Sequence, residues 1–345
     1  MMKILYYLLS FLLLLTCNIY GQKKRPREPR PPVNFTLQEL GTGIWAAIQN
    51  DSYGKAICNA GIIDIGDQTI VFDPFMNLSA AGELKEYAEY LTGKPVTLVV
   101  NSHFHSDHIR GNQLFSEAMI IGTKDTRDAI YATEPAEQEW ESRHAPTLLQ
   151  AIKKRMNNAP PHERSELALW IGYYEGMMES AGHLTITPPS IIFQDSLWIH
   201  GSARSIKIQE YKDCHTASDA VLFIPEERIA FMGDLLVNDR HPWLSDGNIL
   251  NFRKVVKKFS EETSYEIFVP GHGPVGNKED FNKLYDYLST VHQICTNANT
   301  DSLRQILLQQ PIPQAYEHWM LSRFYQPNLQ YILSTMKLEE NVIEN

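Results

Sequence analysis

The sequence predicts an α/β fold of two similar halves, each a group of strands followed by helices. Three observations predict it. Apolar segments of strand length, bounded by Gly, Asp and Pro turns, gather at residues 35–73 and again at 190–232. Segments with apolar residues at helical spacing follow each group. Val96-Thr97-Leu98-Val99-Val100 is an apolar run between turn and polar residues, the pattern of a strand covered on both faces.

In chain order, strands at 35–40 and 44–48 flank Gly41-Thr42-Gly43. Strands at 57–65 and 69–73 flank Gly66-Asp67-Gln68, a tight hairpin signal in which Gly supplies a positive φ. Leu84, Tyr87, Ala88 and Leu91 mark an amphipathic helix over 78–91, ended by Gly93-Lys94-Pro95. The buried strand 96–100 then runs into Asn101-Ser102-His103-Phe104-His105-Ser106-Asp107-His108-Ile109-Arg110-Gly111-Asn112. A strand at 118–122 leads to a helical insertion, 123–188, read as a lid, a wall or a dimer interface. Within it 147–156 and 163–180 read as separate helices, and His144, His162 and His183 lie isolated. The stripe Leu167, Trp170, Ile171, Tyr174, Met177 and Met178 reads as core packing, with a pocket wall as the alternative. Strands resume at 191–193, 197–199 and 205–211, and strands 220–224 and 228–232 flank Pro225-Glu226-Glu227. A strand at 265–270 ends in Gly271-His272-Gly273-Pro274, and helices at 280–295, 303–309 and 318–336 complete the chain.

The N-terminus carries Lys3 and then a nearly unbroken apolar run over 4–15, the length of a signal-peptide core and shorter than the ~20 residues a spanning helix needs. Residues 1–21 are therefore expected to be a leader and the body to be exported, to the periplasm or the outer surface. Leu14-Leu15-Thr16-Cys17 offers the alternative of a lipoprotein, with contact to the membrane only through a lipid on Cys17. Residues 22–33, rich in Lys, Arg and Pro, read as a linker, 34–290 as the main domain, and 291–345 as a helical extension. Cys58, Cys214 and Cys295 are too few for a disulfide framework, so the fold rests on its core. A net charge of −10 disfavours nucleic acid as a partner, since phosphate contacts need clustered Lys and Arg.

Three imidazoles and a carboxylate within His103 to His108 point to metal binding, because neutral imidazole and carboxylate suit the same borderline cations. His103 and His105 alternate with Ser102 and Phe104, so both rings can face one way from an extended segment. His215, Asp234 and His272 each end a strand beside a Gly or a small residue. Gly111, Gly233, Gly271 and Gly273 read as residues that let the backbone turn there.

The series His103-Phe104-His105-Ser106-Asp107-His108, then His215, Asp234 and His272, resembles the metallo-β-lactamase superfamily of metal-dependent hydrolases over roughly residues 35–287. The resemblance implies an αββα four-layer sandwich with a two-metal site at the strand ends, here with a helical insertion and C-terminal helices. It implies that His103, His105 and His215 bind one cation, that Asp107, His108 and His272 bind a second, and that Asp234 bridges them. The cations are expected to be zinc, with iron or manganese as alternatives. The implied reaction is attack by a metal-bridging hydroxide on an ester, thioester, amide, lactone or lactam of a small molecule. Asp107 would orient that nucleophile and protonate the leaving group. Asp73 and Asp219 are candidate partners of ligand histidines, and Arg240, His241 and Trp243 are candidate pocket residues. Cys214 reads as a small packing residue beside a ligand set that is complete without it.

Two narrower readings remain at this point. A periplasmic β-lactamase fits the expected export, but the branch with a Cys ligand carries Cys where this chain has Asp234, and the branch with the Asp-His pair has no bridging Asp. An iron-dependent redox enzyme uses the same scaffold, but flavodiiron members place Glu where this chain has His105.

Overall fold

The computed structural model describes residues 28–343. The expected leader and the Cys17 lipidation signal lie outside the described residues. Among the described residues, twelve strands form two sheets. The first runs in sequence order: β1 (Phe35–Gly41), β2 (Ile44–Gln49), β3 (Ala60–Asp64), β4 (Thr69–Phe72), β5 (Val96–Val100), β6 (Met119–Thr123) and β7 (Ile191–Phe193). The second comprises β8 (Ser196–His200), β9 (Ser205–Lys212), β10 (Ser218–Ile224), β11 (Ile229–Phe231) and β12 (Ile267–Val269), with β12 and β8 at its edges. Pairing is antiparallel from β1 to β4 and parallel from β4 to β7.

The layers follow from which faces are apolar. Ile63, Phe72 and Val100 of the first sheet meet Ile208, Leu222 and Phe231 of the second in the central core. Gly61 lies so close to Phe231 that an added Cβ would sit 2.6 Å from its ring, which fixes the spacing of the two sheets there. Helix α1 (Leu78–Thr92) covers the outer face of the first sheet, packing Leu84 and Ala88 against Val71 and Val99. Asn77 starts α1 by accepting the Ser79 and Ala80 N–H groups, and Gly93, at φ 68°, ends it in the left-handed conformation. Helices α5 (Ile249–Glu261) and α6 (Lys278–Asn297) cover the second sheet through Phe252, Phe281 and Leu284. Burial of β4 and β10 at every position reflects helix on one side and sheet on the other. This is the αββα sandwich that the sequence led us to expect.

The short helix α2 (Ser106–Ile109) follows β5. The insertion holds one long helix α3 (Lys124–Asn158) and an antiparallel partner α4 (Pro161–Ser180). The separate helix expected at 147–156 is instead the end of α3, which continues through Pro135 and Pro146. Each proline forfeits one helical hydrogen bond, but tertiary contacts span the break. Arg110, 4% exposed, reaches up from the segment after α2 and pairs with Glu134 at 3.0 Å and Glu141 at 2.6 Å, two turns apart on one face of α3.

The expected tail helix at 318–336 begins later, as α8 (Tyr325–Ile343), after the short helix α7 (Asp301–Leu307). Leu321 stands at φ 61° and stops any helix from running through it. Main-chain bonds from Met320 N to Asp239 O and from His241 N to Met320 O hold this segment extended against the loop after Asp234. Trp319, Tyr325 and Leu329 then join Tyr287 in the core beneath α6.

Candidate metal centre

Four parallel strand ends deliver the polar residues to one edge of the sandwich. β4 leads to Asp73, β5 to His103 and His105, β11 to Gly233-Asp234, and β12 to His272. The β9–β10 turn adds His215 from the second sheet. Glycines permit the close approaches. A Cβ on Gly271 would meet Asp234 Oδ1 at 1.9 Å, and Gly233, at φ 52°, leaves room for Ser102.

All seven expected ligand residues meet here, in two groups. His103 Nε2 and His215 Nε2 lie 2.9 and 3.1 Å from His105 Nδ1, and Asp234 Oδ2 lies 3.5 Å from His215 Nε2. Asp107 Oδ2 lies 3.4 Å from His108 Nε2 and 3.3 Å from His272 Nε2. Asp234 faces this second group as well, with Oδ1 3.4 Å from His108 Nε2 and Oδ2 3.4 Å from His272 Nε2. These separations match the edge of a tetrahedron around a zinc ion, about 3.3 Å for ligands about 2.0–2.1 Å from the metal. His108 Nε2 and Asp234 Oδ1 are buried without a hydrogen-bond partner, an arrangement that a cation between them satisfies. The donor set therefore fits divalent metal binding.

The far side of most rings is anchored, which turns the ligand nitrogen and its lone pair inward. Asp73, fully buried, accepts from His108 Nδ1 at 2.9 Å and from the Ser102 N–H and O–H at 2.7 and 2.6 Å. Ser102 Oγ also meets His103 Nδ1 at 2.8 Å. His272 Nδ1 donates to Ile57 O at 3.0 Å, and His105 Nε2 lies 3.1 Å from Asp246 Oδ2. Asp219, expected beside His215, accepts instead from Thr216 N and Oγ1, so it braces the loop that carries His215 without touching the ring. Burial pushes the Asp219 carboxyl up to about 7.

Burial and neighbouring charge divide the ionisations. Burial presses His215 down to about 3 and His103 well below the usual imidazole range, keeping both neutral. Burial opposes ionisation of Asp234, yet His272 and His108 outweigh it and hold the carboxyl well below its ordinary range. Burial likewise opposes the charge on His272, but Asp234 and Asp107 raise it to about 9.

Both groups open onto a cavity of about 510 Å³. Trp170, Tyr173 and Tyr174 of α4, Trp140 of α3, Trp243 and Phe324 line it. Of the α4 stripe, Trp170 and Tyr174 serve as core packing and as wall together and Ile171 and Met177 as packing, while Met178, expected with them, is exposed at 43%. His241 and Trp243 reach the cavity as expected, His241 with both nitrogens engaged by Tyr287 Oη and Tyr316 O. Arg240, expected with them, turns away: its guanidinium is buried against Asp51 at 2.7 Å and Asn238 O at 3.1 Å. Cys214 is buried and donates to Lys212 O, and Cys58 donates to Asp107 O. Asp246, Ser102, Trp140 and Phe324 were not singled out from sequence. Asp246 carries only a weak signal, a carboxylate in the same loop as Trp243, which donates to it at 2.6 Å.

A helix–sheet–sheet–helix sandwich with two His/Asp groups at one edge defines a scaffold for divalent cations. The model of the metallo-beta-lactamase superfamily matches residues 53–275, and the chain belongs to that superfamily. Among solved structures, the chain is similar to a metallo-beta-lactamase from Pontibacter korlensis, at 14% identity and a TM-score of 0.53, over 74% of this chain and 99% of that one. Metallo-beta-lactamase FIM-1 from Pseudomonas aeruginosa, in a mono-zinc form, matches at 16% identity and a TM-score of 0.49, over 76% of this chain and 97% of that one. At 14% identity the likeness to the Pontibacter korlensis protein is one of fold.

Proposed function

We propose that this chain is an exported dinuclear zinc hydrolase that cleaves an ester, thioester, amide, lactone or lactam of a small molecule. One observation carries the reading: Asp234 faces both ligand groups at 3.4–3.5 Å at the base of an aromatic cavity. Two cations, when bound, supply a water of lowered pKa and polarise the scissile carbonyl. The chain's own residues do the remaining work. His103, His105 and His215 hold one cation, and Asp107, His108 and His272 the other. In the metal-free protein burial opposes the charge on Asp107, but His108 and His272 hold its carboxyl well below the ordinary range. As a carboxylate beside the second cation, Asp107 would orient the attacking water, take its proton and pass that proton to the leaving group. The aromatic walls of Trp170, Tyr173 and Trp243 bind the apolar part of the substrate and keep bulk water from it.

Export is supported by the basic start and apolar run of residues 1–21. Among the described residues, no helix is long and apolar enough to cross a membrane. The test is hydrolysis of a panel of esters, thioesters, amides, lactones and β-lactams by zinc-loaded protein beside its His103→Ala and Asp107→Asn variants. Loss of turnover by both variants is expected, and turnover that persists in them refutes the mechanism. Cleavage confined to β-lactams selects the β-lactamase reading.

A further inference from the structure

We infer that Arg323 binds a carboxylate on the substrate, away from the bond that is cleaved, so that the substrates are acyl compounds with an apolar body and an anionic end. This rests on reading the cavity as the substrate site of a hydrolase. Among the described residues that line the cavity, Arg323 is the one lysine or arginine, while Asp107, Glu137, Glu141, Asp234 and Asp246 bring carboxylates. Asp107, Asp234 and Asp246 face histidines, and Glu141 pairs with Arg110. No carboxylate among the described residues lies within ion-pair distance of Arg323.

The guanidinium is nevertheless held in place. It lies over Trp170, 3.8 Å from the ring centroid, and its Nη2 donates to Tyr174 Oη at 2.8 Å. Glu166 accepts from both Trp170 Nε1 and Ser322 Oγ, fixing the indole and the Arg323 turn to one another. Leu321, at φ 61°, sets the direction of that turn, and the Met320–Asp239 bond pins it to the loop after Asp234. A stacked, planar guanidinium with one N–H engaged and others free matches the two oxygens of a carboxylate. Trp170 lies within the superfamily match, whereas Arg323 lies beyond residue 275, where that match ends.

The test has two independent arms. Tryptophan fluorescence, or calorimetry, follows binding of phenylacetate and of its neutral isostere phenylacetamide to zinc-loaded protein. The expected result is about tenfold tighter binding of the carboxylate, roughly 1.4 kcal/mol. That preference should vanish in Arg323→Gln and survive in part in Arg323→Lys, which keeps the charge and loses the fork. Thermal midpoints of both variants check that they fold. Equal binding of the two ligands by wild type overturns the proposal, and so does a preference that Arg323→Gln retains, since the carboxylate is then held at the metals. The second arm compares hydrolysis of 4-nitrophenyl hydrogen glutarate and 4-nitrophenyl butyrate. The ratio of their kcat/KM values should fall about tenfold in Arg323→Gln. An Arg323-dependent binding preference without hydrolysis of any panel substrate refutes the hydrolase reading and leaves the carboxylate site standing. Hydrolysis whose selectivity ignores Arg323 does the reverse.

Discussion

Replacing Asp73 by asparagine removes a charge and changes little else. Asp73 is fully buried and sits at φ 50°, a conformation that asparagine adopts more readily than other non-glycine residues. Its Oδ1 accepts the Ser102 N–H, and its Oδ2 accepts both the Ser102 hydroxyl and His108 Nδ1. An asparagine that keeps its oxygen on the Ser102 N–H turns its amide N–H₂ towards His108. The imidazole then moves its proton to Nε2, the atom aimed at Asp234 and Asp107. Loss of such a partner lowers metal affinity about 10–100-fold, or roughly 1.4–2.7 kcal/mol. Competition with a chromogenic zinc chelator should show one of two sites weakened by that factor in Asp73→Asn. Asp73→Ala should in addition destabilise the metal-free protein by about 3 kcal/mol or more, because it leaves three buried donors unpaired at about 1–3 kcal/mol each. Two wild-type zinc affinities in Asp73→Asn would refute the role given to Asp73.

Three further outcomes follow from the geometry. Gly271→Ala should weaken metal binding at both sites, because its Cβ would lie 1.9 Å from Asp234 Oδ1; unchanged zinc stoichiometry and affinity would contradict the placement of Asp234. Glu134→Ala should cost about 3 kcal/mol in urea denaturation, since it strips one of the carboxylates from the buried Arg110, and a loss below about 0.5 kcal/mol would argue against that network. Zinc uptake should release a proton from His272, which in the metal-free protein holds one up to about pH 9. Affinity should therefore rise about tenfold per pH unit for each proton released below that value, and His108, also held well above the usual imidazole range, adds to the release. Calorimetry in buffers of different ionisation enthalpy counts the protons, and a count of zero at pH 7 would contradict the charge balance.

Much of this architecture was legible because its signals are local. Turn residues and apolar periodicity located the strands. His103, His105, Asp107 and His108 are neighbours in sequence, and His215, Asp234 and His272 each sit where a strand ends beside a small residue. Misreadings occurred where distant residues decide the outcome. Pro135 and Pro146 signal a break, yet Arg110 bridges Glu134 and Glu141 along one helix. Residues 318–321 have helical composition, but bonding of Met320 to Asp239 and His241 holds them out of helix, and a short 3-10 turn at Ser322–Phe324 then leads into α8. Arg240 stands in the right loop, and Asp51 draws it away from the cavity. Asp246 and Arg323 reach the cavity through chain folding alone, with no motif to mark either in advance.

The most direct test of the central claim is a zinc titration of chelator-stripped protein, following bound metal and hydrolysis together. No turnover is expected without metal, and binding and activity should both saturate at two zinc ions per chain. Saturation of both at one ion, or hydrolysis that survives complete removal of metal, would contradict a centre shared through Asp234.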